Sequence, residues 1–393
     1  MQTMSSSSLT LSFITSFLFF FSTYARVVYA QESGSLQGKH GSTFSAVYAF
    51  GGSYTDTGNA CTMTSLKGSF GANCQRSGGR LSNGKLAVDY VSASFSLPSP
   101  QPWLNISKNS YSATPGALST ATSGVNFAIA GSSSLQHKYF TNQDLSHVIW
   151  KGIPMTIQTQ VHWFRNFLRE KNCMGKHAHR CIEEFKNALF WVGPIGISDY
   201  YNVQGTSIAQ KWLTQLSIQQ FTKVIEALIN AGAKYIVAEG LPPLGCFPLS
   251  VSQSEGHKLD QNGCAVPVNS AIKLHNQILK SKVGELQRRC HECSILYADF
   301  WKAYETIVMT PAKYHLEETK KACCGTGKGD LNFDPKMVCG SPTTSACTDP
   351  AKYVSWDGIH ITEAMQRQVA DLYLNQGFCE PSFDTMIKHK SSI

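Results

Sequence analysis

The strongest constraint on how this chain can fold is an alternation between two kinds of apolar segment. Five short runs, Ser45 to Phe50 (SAVYAF), Gly124 to Ile129 (GVNFAI), Ala188 to Val192 (ALFWV), Tyr235 to Ala238 (YIVA) and Ile295 to Ala298 (ILYA), each meet a Gly or Asp within two residues of their end. A strand with one wet face alternates apolar and polar residues, whereas near-continuous apolar runs fit strands covered on both faces, as in a parallel sheet. Between them lie longer amphipathic segments, Met155 to Arg169, Ile208 to Ala231 and Ala265 to Arg289, the last with Ile272, Ile278, Leu279 and Leu286 on its apolar side. Repeated β-then-α order predicts a right-handed, doubly wound α/β domain. No Pro/Gly/Ser-rich linker or internal repeat interrupts the pattern, so one domain is expected from residue 42 to 380.

The residues before that domain read differently. Leu9 to Phe21 is apolar but too short to span a bilayer, and Val28-Tyr29-Ala30 places small residues at a cleavage point, so residues 1–30 are expected to be a signal peptide. Only the amino terminus supplies positive charge ahead of the run, because Arg26 follows it. Export agrees with the N-glycosylation sequon Asn105-Ile106-Ser107 and with 13 cysteines. The expected destination is the extracellular space or cell wall, with the vacuole an alternative, and no other stretch is apolar for long enough to give a stable membrane span. The formal charge of +8 is spread along the chain without a dense Lys/Arg run, which argues against a nucleic-acid partner, and a monomer is expected.

The cysteines crowd towards the C terminus. Cys323, Cys324, Cys339, Cys347 and Cys379, with Cys290 and Cys293 shortly before, are expected to staple irregular segments through local disulfides, and the odd total leaves at least one thiol unpaired. Cys290-His291-Glu292-Cys293 resembles half of a zinc site, but the second C-x-x-C is missing and disulfides are the better reading; no metal is expected. Gly325-Thr326-Gly327-Lys328-Gly329 lacks phosphate-loop spacing and reads as a flexible loop.

An open parallel sheet presents its reactive groups beyond the carboxyl ends of its strands. The first strand is followed by Gly51-Gly52-Ser53-Tyr54-Thr55-Asp56-Thr57-Gly58-Asn59, the second by Ala130-Gly131-Ser132, the third by Gly193-Pro194-Ile195-Gly196-Ile197-Ser198-Asp199, and Trp356-Asp357-Gly358-Ile359-His360 lies near the C terminus. Nucleophilic serine chemistry needs a hydroxyl on a tight turn, an imidazole to take its proton, a carboxylate to orient the imidazole and donors for the oxyanion. Ser53, His360 and Asp357 supply the first three. Asp357 and His360 are three apart, close enough for the carboxylate to accept from Nδ1 while Nε2 faces Ser53. Asp56 and Asn59 read as caps of the following helix. Trp191, Tyr200 and Tyr201 could line an acyl or sugar pocket but read more readily as core.

Phe50-Gly51-Gly52-Ser53-Tyr54-Thr55-Asp56-Thr57-Gly58-Asn59 resembles the first block of plant GDSL esterase/lipases of the SGNH hydrolase superfamily, usually F-G-D-S-x-x-D-x-G-N. Gly79-Arg80-Leu81-Ser82-Asn83-Gly84-Lys85, Gly124-Val125-Asn126-Phe127-Ala128, Leu241-Pro242-Pro243-Leu244-Gly245-Cys246 and Trp356-Asp357-Gly358-Ile359-His360 continue the resemblance in the family's order. The resemblance implies a flavodoxin-like three-layer α/β/α sandwich with a mainly parallel central sheet, with Ser53 as nucleophile, Asp357 as acid and His360 as general base. It further implies an oxyanion hole from the Ser53 N–H, Gly131 and a third donor where the family carries Asn and this chain carries Ser198. Gly52 stands where the family usually has Asp.

The expected activity is cleavage of small-molecule carboxylic esters through an acyl-enzyme, with the acyl group, hydroxycinnamoyl among the candidates, passed to water or to another hydroxyl compound. No cofactor is required. A shorter donor at Ser198 keeps a second reading open, a catalytically weakened binding or defence protein that retains the fold. A mononucleotide-binding protein is disfavoured by the absence of a phosphate-cradling loop.

Overall fold

The computed structural model describes residues 36–63, 77–107, 123–135, 155–203, 210–254 and 256–392; the expected signal peptide lies outside them. Among the described residues seven strands form one sheet. In chain order these are β1 (Val47–Phe50), β2 (Gln101–Pro102), β3 (Val125–Asn126), β4 (Leu189–Val192), β5 (Tyr235–Glu239), β6 (Ser294–Ala298) and the edge strand Cys379–Glu380. Across the sheet the order is Cys379–Glu380, β6, β5, β4, β1, β3, β2, with every pairing parallel except that of Cys379–Glu380 with β6. From β1 the chain first builds one side of the sheet, through β2 and β3, and then crosses to the other, through β4, β5 and β6. That reversal opens a crevice beyond the carboxyl end of β1, where doubly wound folds bind their ligands.

Both faces of the sheet are covered, and the alternation along each strand divides the core in two. Val47, Ala49, Leu189, Trp191, Tyr235, Val237, Leu296 and Ala298 face a cluster that includes Val91, Ala303 and Val369 from the helices Ala87–Ser94, Phe300–Met309 and Glu363–Asn375. Tyr48, Phe50, Phe190, Val192, Ile236, Ala238, Ile295 and Tyr297 face the opposite cluster, with Phe164, Ile225 and Leu279 from the helices Ile157–Glu170, Gln210–Asn230 and Val266–Arg289. Polar residues at these strand positions would face a dry layer whichever way they pointed, which is why the runs are almost wholly apolar.

All five apolar runs become strands and all three amphipathic segments become helices. The second run pairs regularly only over Val125–Asn126, although its backbone goes on following the first strand: the Phe127 N–H donates to Ala49 O (2.7 Å) and the Ile129 N–H to Gly51 O (3.2 Å). The helix expected from Met155 starts at Ile157, since residues 155–157 bond in parallel bridge fashion to Ser133. The two-residue strands Gln101–Pro102 and Cys379–Glu380 are too short to show a period. Cys173–Cys181, Cys246–Cys264, Cys290–Cys293, Cys323–Cys347 and Cys324–Cys339 are disulfides, so the thiols of the C-x-x-C pair are not free for zinc. Cys379 sits among the C-terminal cysteines in sequence but is a buried free thiol, because its edge strand turns it into the core.

Glycine lets the strand ends approach one another beneath the crevice. Gly51 has φ +155°, and a Cβ there would lie 2.6 Å from Gly193 O; a Cβ on Gly193, at φ +129°, would lie 2.6 Å from Glu239 O. Gly52 is different. Its backbone is outside the left-handed region and its Cβ would meet only Pro194 O, at 3.6 Å. Of the two glycines before Ser53, the turn therefore requires Gly51 alone. Deeper in the same region Glu239 is buried and accepts from Trp191 Nε1 and Tyr373 OH, each at 3.1 Å. Burial pushes its carboxyl up to about 8 from the ordinary 4.5.

Two outcomes are expected from this packing. Gly52→Ala should stabilise the fold by about 0.4–1 kcal/mol by restricting the unfolded chain, whereas Gly51→Ala should destabilise it by about 1–3 kcal/mol through strain and contact with Gly193; urea unfolding of the two variants measures the contrast. Between pH 4.5 and about 8 the unfolded chain has lost the Glu239 proton that the folded state keeps, so this group makes stability decline as pH rises through that window. Glu239→Gln should flatten the decline in unfolding free energy measured at pH 5 to 8.

Candidate active site

Ser53 lies just beyond β1, and its Oγ is 2.9 Å from His360 Nε2. On the other side of the ring, His360 Nδ1 is 2.7 Å from Asp357 Oδ2. The second carboxylate oxygen, Oδ1, accepts from the backbone N–H groups of Ile359 (2.9 Å) and His360 (2.7 Å). With one oxygen held by its own turn, Asp357 aims the other at Nδ1. An ionised carboxylate can only accept, so Nδ1 carries a proton and neutral Nε2 is left to accept from the serine. The three side chains are almost wholly buried, with 6%, 8% and 6% of the Ser53, Asp357 and His360 surfaces exposed. Water competes little for these hydrogen bonds.

The Asp357–His360 turn rests on a disulfide-stapled platform. Glu318–Ala322 pairs in parallel with Tyr353–Ser355, after which Cys323 N–H donates to Ser355 O (3.0 Å) and Cys324 N–H to Trp356 O (2.6 Å). The Cys323–Cys347 and Cys324–Cys339 disulfides close the loop over this ladder, and Trp356 packs against Cys323, Cys324 and Cys339. Gly358 has φ +88° and lies so close to the Phe333 ring that no Cβ fits, while its carbonyl accepts from Leu249 N–H (3.1 Å). From the serine side, Tyr54 OH donates to Ile359 O (2.7 Å). The residues that follow Ser53 and precede His360 are thereby joined directly.

The two remaining candidate loops are fixed by buried carboxylates. Asp56 accepts from Gly58 (2.8 Å), Asn59 (2.6 Å) and Ala60 (2.9 Å), capping the short helix Asn59–Thr62, and also from Ala130 N–H (2.8 Å), next to Gly131. Asn59 donates to Asn126 O and Ala128 O, both at 2.8 Å, and accepts from Leu104 N–H. Asp56 thus caps the helix after it, as expected, whereas Asn59 is the first residue of that helix and its side chain instead ties it to residues 126–128 and to Leu104. Gly131 has φ +79°, and Ser198 is the second residue of the buried helix Ile197–Val203. Its neighbour Asp199 accepts from the N–H groups of Ser134 (2.8 Å) and Leu135 (3.2 Å), tying the third loop to the second, and burial raises its carboxyl to about 6. Tyr200, on the same helix, is held by Thr214 Oγ1 (2.6 Å) and His275 Nδ1 (3.1 Å); burial drives His275 down to about 3, so it stays neutral.

The clamping roles of Tyr54 and Asp199 escape sequence reasoning because their partners are backbone groups of distant segments. Trp191, Tyr200 and Tyr201 belong to the core cluster rather than to an open pocket. Asn105 is exposed on the short helix Trp103–Ile106, accepting from Thr62 Oγ1 (2.6 Å). No helix among the described residues is long and apolar enough to cross a membrane.

Comparison with known proteins finds one family along most of the chain. The family model described as GDSL-like Lipase/Acylhydrolase matches residues 47–373. A GDSL esterase/lipase of Arabidopsis thaliana is 36% identical over 355 residues, covering 88% of this chain and 90% of that relative, and a second from the same plant is 30% identical over 356 residues, covering 87% and 93%. Acetylajmalan esterase 2 of Rauvolfia serpentina is 28% identical over 342 residues, covering 83% and 88%. With a doubly wound sheet, a serine–imidazole–carboxylate chain at its switch point and a match across most of its length, the chain belongs to the GDSL-like lipase/acylhydrolase family as a serine carboxylic ester hydrolase.

Proposed function

We propose that Ser53 is the nucleophile, His360 the general base and Asp357 the residue that orients it, and that the enzyme works through an acyl-enzyme on Ser53. The observation that carries this reading is the unbroken hydrogen-bonded chain Ser53 Oγ, His360 Nε2, His360 Nδ1, Asp357 Oδ2, at 2.9 and 2.7 Å. In the first half-reaction Oγ bonds to the ester carbon, its proton passes to Nε2, and the tetrahedral intermediate collapses as the imidazolium returns that proton to the departing alcohol. In the second half, water or another hydroxyl compound gives its proton to His360 and attacks the acyl carbon, and the imidazolium returns that proton to Ser53 Oγ as the bond between Oγ and the acyl carbon breaks. The Ser53 and Gly131 N–H groups and the Ser198 hydroxyl are the proposed oxyanion donors.

Ser198 and Gly52 bear on the choice of acceptor. A hydroxyl is shorter than the carboxamide the family carries at residue 198, and losing one oxyanion donor outright costs about 3–4 kcal/mol of transition-state stabilisation. A hydroxyl of an acyl acceptor can make up the missing interaction, which favours transfer, with hydroxycinnamoyl among the acyl groups considered. The relative named acetylajmalan esterase supports small acetyl esters as the starting class of substrate. Export through the signal peptide at residues 1–30 and glycosylation at exposed Asn105 complete the reading, supported by the disulfides.

A fluorophosphonate probe is expected to label the protein on Ser53, with labelling lost in Ser53→Ala. Asp357→Asn should lower turnover by about 10⁴-fold through the wrong imidazole tautomer, and no labelling of the wild-type protein between pH 6 and 9 would reject the serine mechanism. Products from acetate, long-chain and hydroxycinnamate esters, with and without hydroxyl acceptors, separate hydrolysis from transfer. Ser198→Asn should raise hydrolysis relative to transfer in that assay; unchanged rates of both would remove residue 198 from the oxyanion site.

A further inference from the structure

Gln160 is fully buried on the helix Ile157–Glu170, where its buried neighbours Ile157, Val161, Phe164 and Phe167 are all apolar. Its carboxamide makes three hydrogen bonds to two catalytic loops. Oε1 accepts from Gly51 N–H (2.9 Å), and Nε2 donates to Gly51 O (2.7 Å) and to Ser132 Oγ (2.8 Å). Gly51 is two residues before Ser53, and Ser132 follows Gly131. The helix cannot slide relative to the second loop, because Ser133 N–H donates to Met155 O (3.2 Å) and Ile157 N–H to Ser133 O (3.0 Å).

We propose that Gln160 is a positioning residue that sets the spacing between the Ser53 turn and the Gly131 loop, so that their N–H groups converge on one oxyanion. The inference rests on the roles proposed above for Ser53 and Gly131. The chemistry of the site selects an amide. One acceptor and two donors are needed at once in a dry layer, and an apolar side chain of the same length would leave the Gly51 N–H without its side-chain partner. A carboxylate would place negative charge against the Gly51 carbonyl. A residue that only filled space would be replaceable by methionine.

The test compares Gln160→Met and Gln160→Glu with wild type, using turnover per active site titrated with the phosphonate. Gln160→Met should lose up to about 100-fold in kcat with little change in KM, because misplaced donors weaken the transition state more than substrate binding. Gln160→Glu should be partly active while its carboxyl is protonated, since the acid keeps the acceptor and one of the amide's two donors, and should lose activity on ionising, when it can no longer donate to Gly51 O, which adds an alkaline limb to the pH profile that wild type lacks. Wild-type turnover per titrated site in Gln160→Met, or a Gln160→Glu profile with no alkaline limb, would overturn the proposal. If Gln160→Met fails to fold, the Gln160→Glu profile decides. Failure of the wild-type protein to titrate would reject the Ser53 reading itself, whereas normal titration that vanishes in Ser53→Ala together with unchanged Gln160 variants would reject only this inference.

Discussion

The hydrogen bond between Ser53 Oγ and His360 Nε2 joins residues 307 apart in sequence, and the rest of the structure can be understood as the means of keeping its 2.9 Å. One partner is carried by a turn at the end of β1, in the interior of the sheet and between β3 and β4. The other is carried by a turn outside the sheet, on the disulfide-closed ladder after Glu318–Ala322. Neither turn has regular structure to hold it over the last few ångströms. That distance is bridged by Tyr54 OH reaching Ile359 O, while the Leu249 N–H holds the Gly358 carbonyl from a separate helix.

The same need explains why so many buried polar side chains surround a small reactive group. Loops that leave a parallel sheet at adjacent strand ends carry backbone N–H groups that no ladder satisfies, and in a dry interior each unpaired group is costly. Asp56, Asp199, Asn59 and Gln160 accept from such N–H groups, at Ala130, Ser134, Leu104 and Gly51, and Asn59 and Gln160 also donate to carbonyls of those loops, so each ties its own segment to another. Among the described residues neither Asp56 nor Asp199 forms an ion pair; burial raises both carboxyls while the backbone donors lower them. Each therefore links loops through backbone amides and leaves the neighbourhood of the imidazole to Asp357.

The physical origin of each signal decides what could be read from the sequence. The strands and long helices were legible because a doubly covered sheet makes its strands apolar throughout, and because Val266–Arg289 and its counterparts carry a helical period. Ser53, Asp357 and His360 were legible because a glycine-supported turn and a D-x-x-H turn are local patterns placed where strands end. What stayed hidden was relational. Gln160 looks in sequence like a polar interruption of a helix face, and only the fold shows that two distant loops meet its amide. Cys379 shows the converse: adjacency in sequence suggested a disulfide, and the direction of one short edge strand excluded it.

Gly52 and Ser198, the two departures from the family's pattern, differ in what the fold imposes on them. At Gly52 the backbone does not ask for glycine, and a Cβ would make only an ordinary contact with Pro194 O. The absence of a side chain there is not imposed by the turn, and it removes a carboxylate from beside Ser53 relative to the family's usual pattern. Ser198, in contrast, sits on a helix fixed at the two positions after it, by Asp199 on the second loop and by Tyr200 on Thr214 and His275. A helix so constrained cannot move to compensate for a shorter side chain, so on the proposed mechanism the distance lost at residue 198 has to be covered by a group from outside the protein.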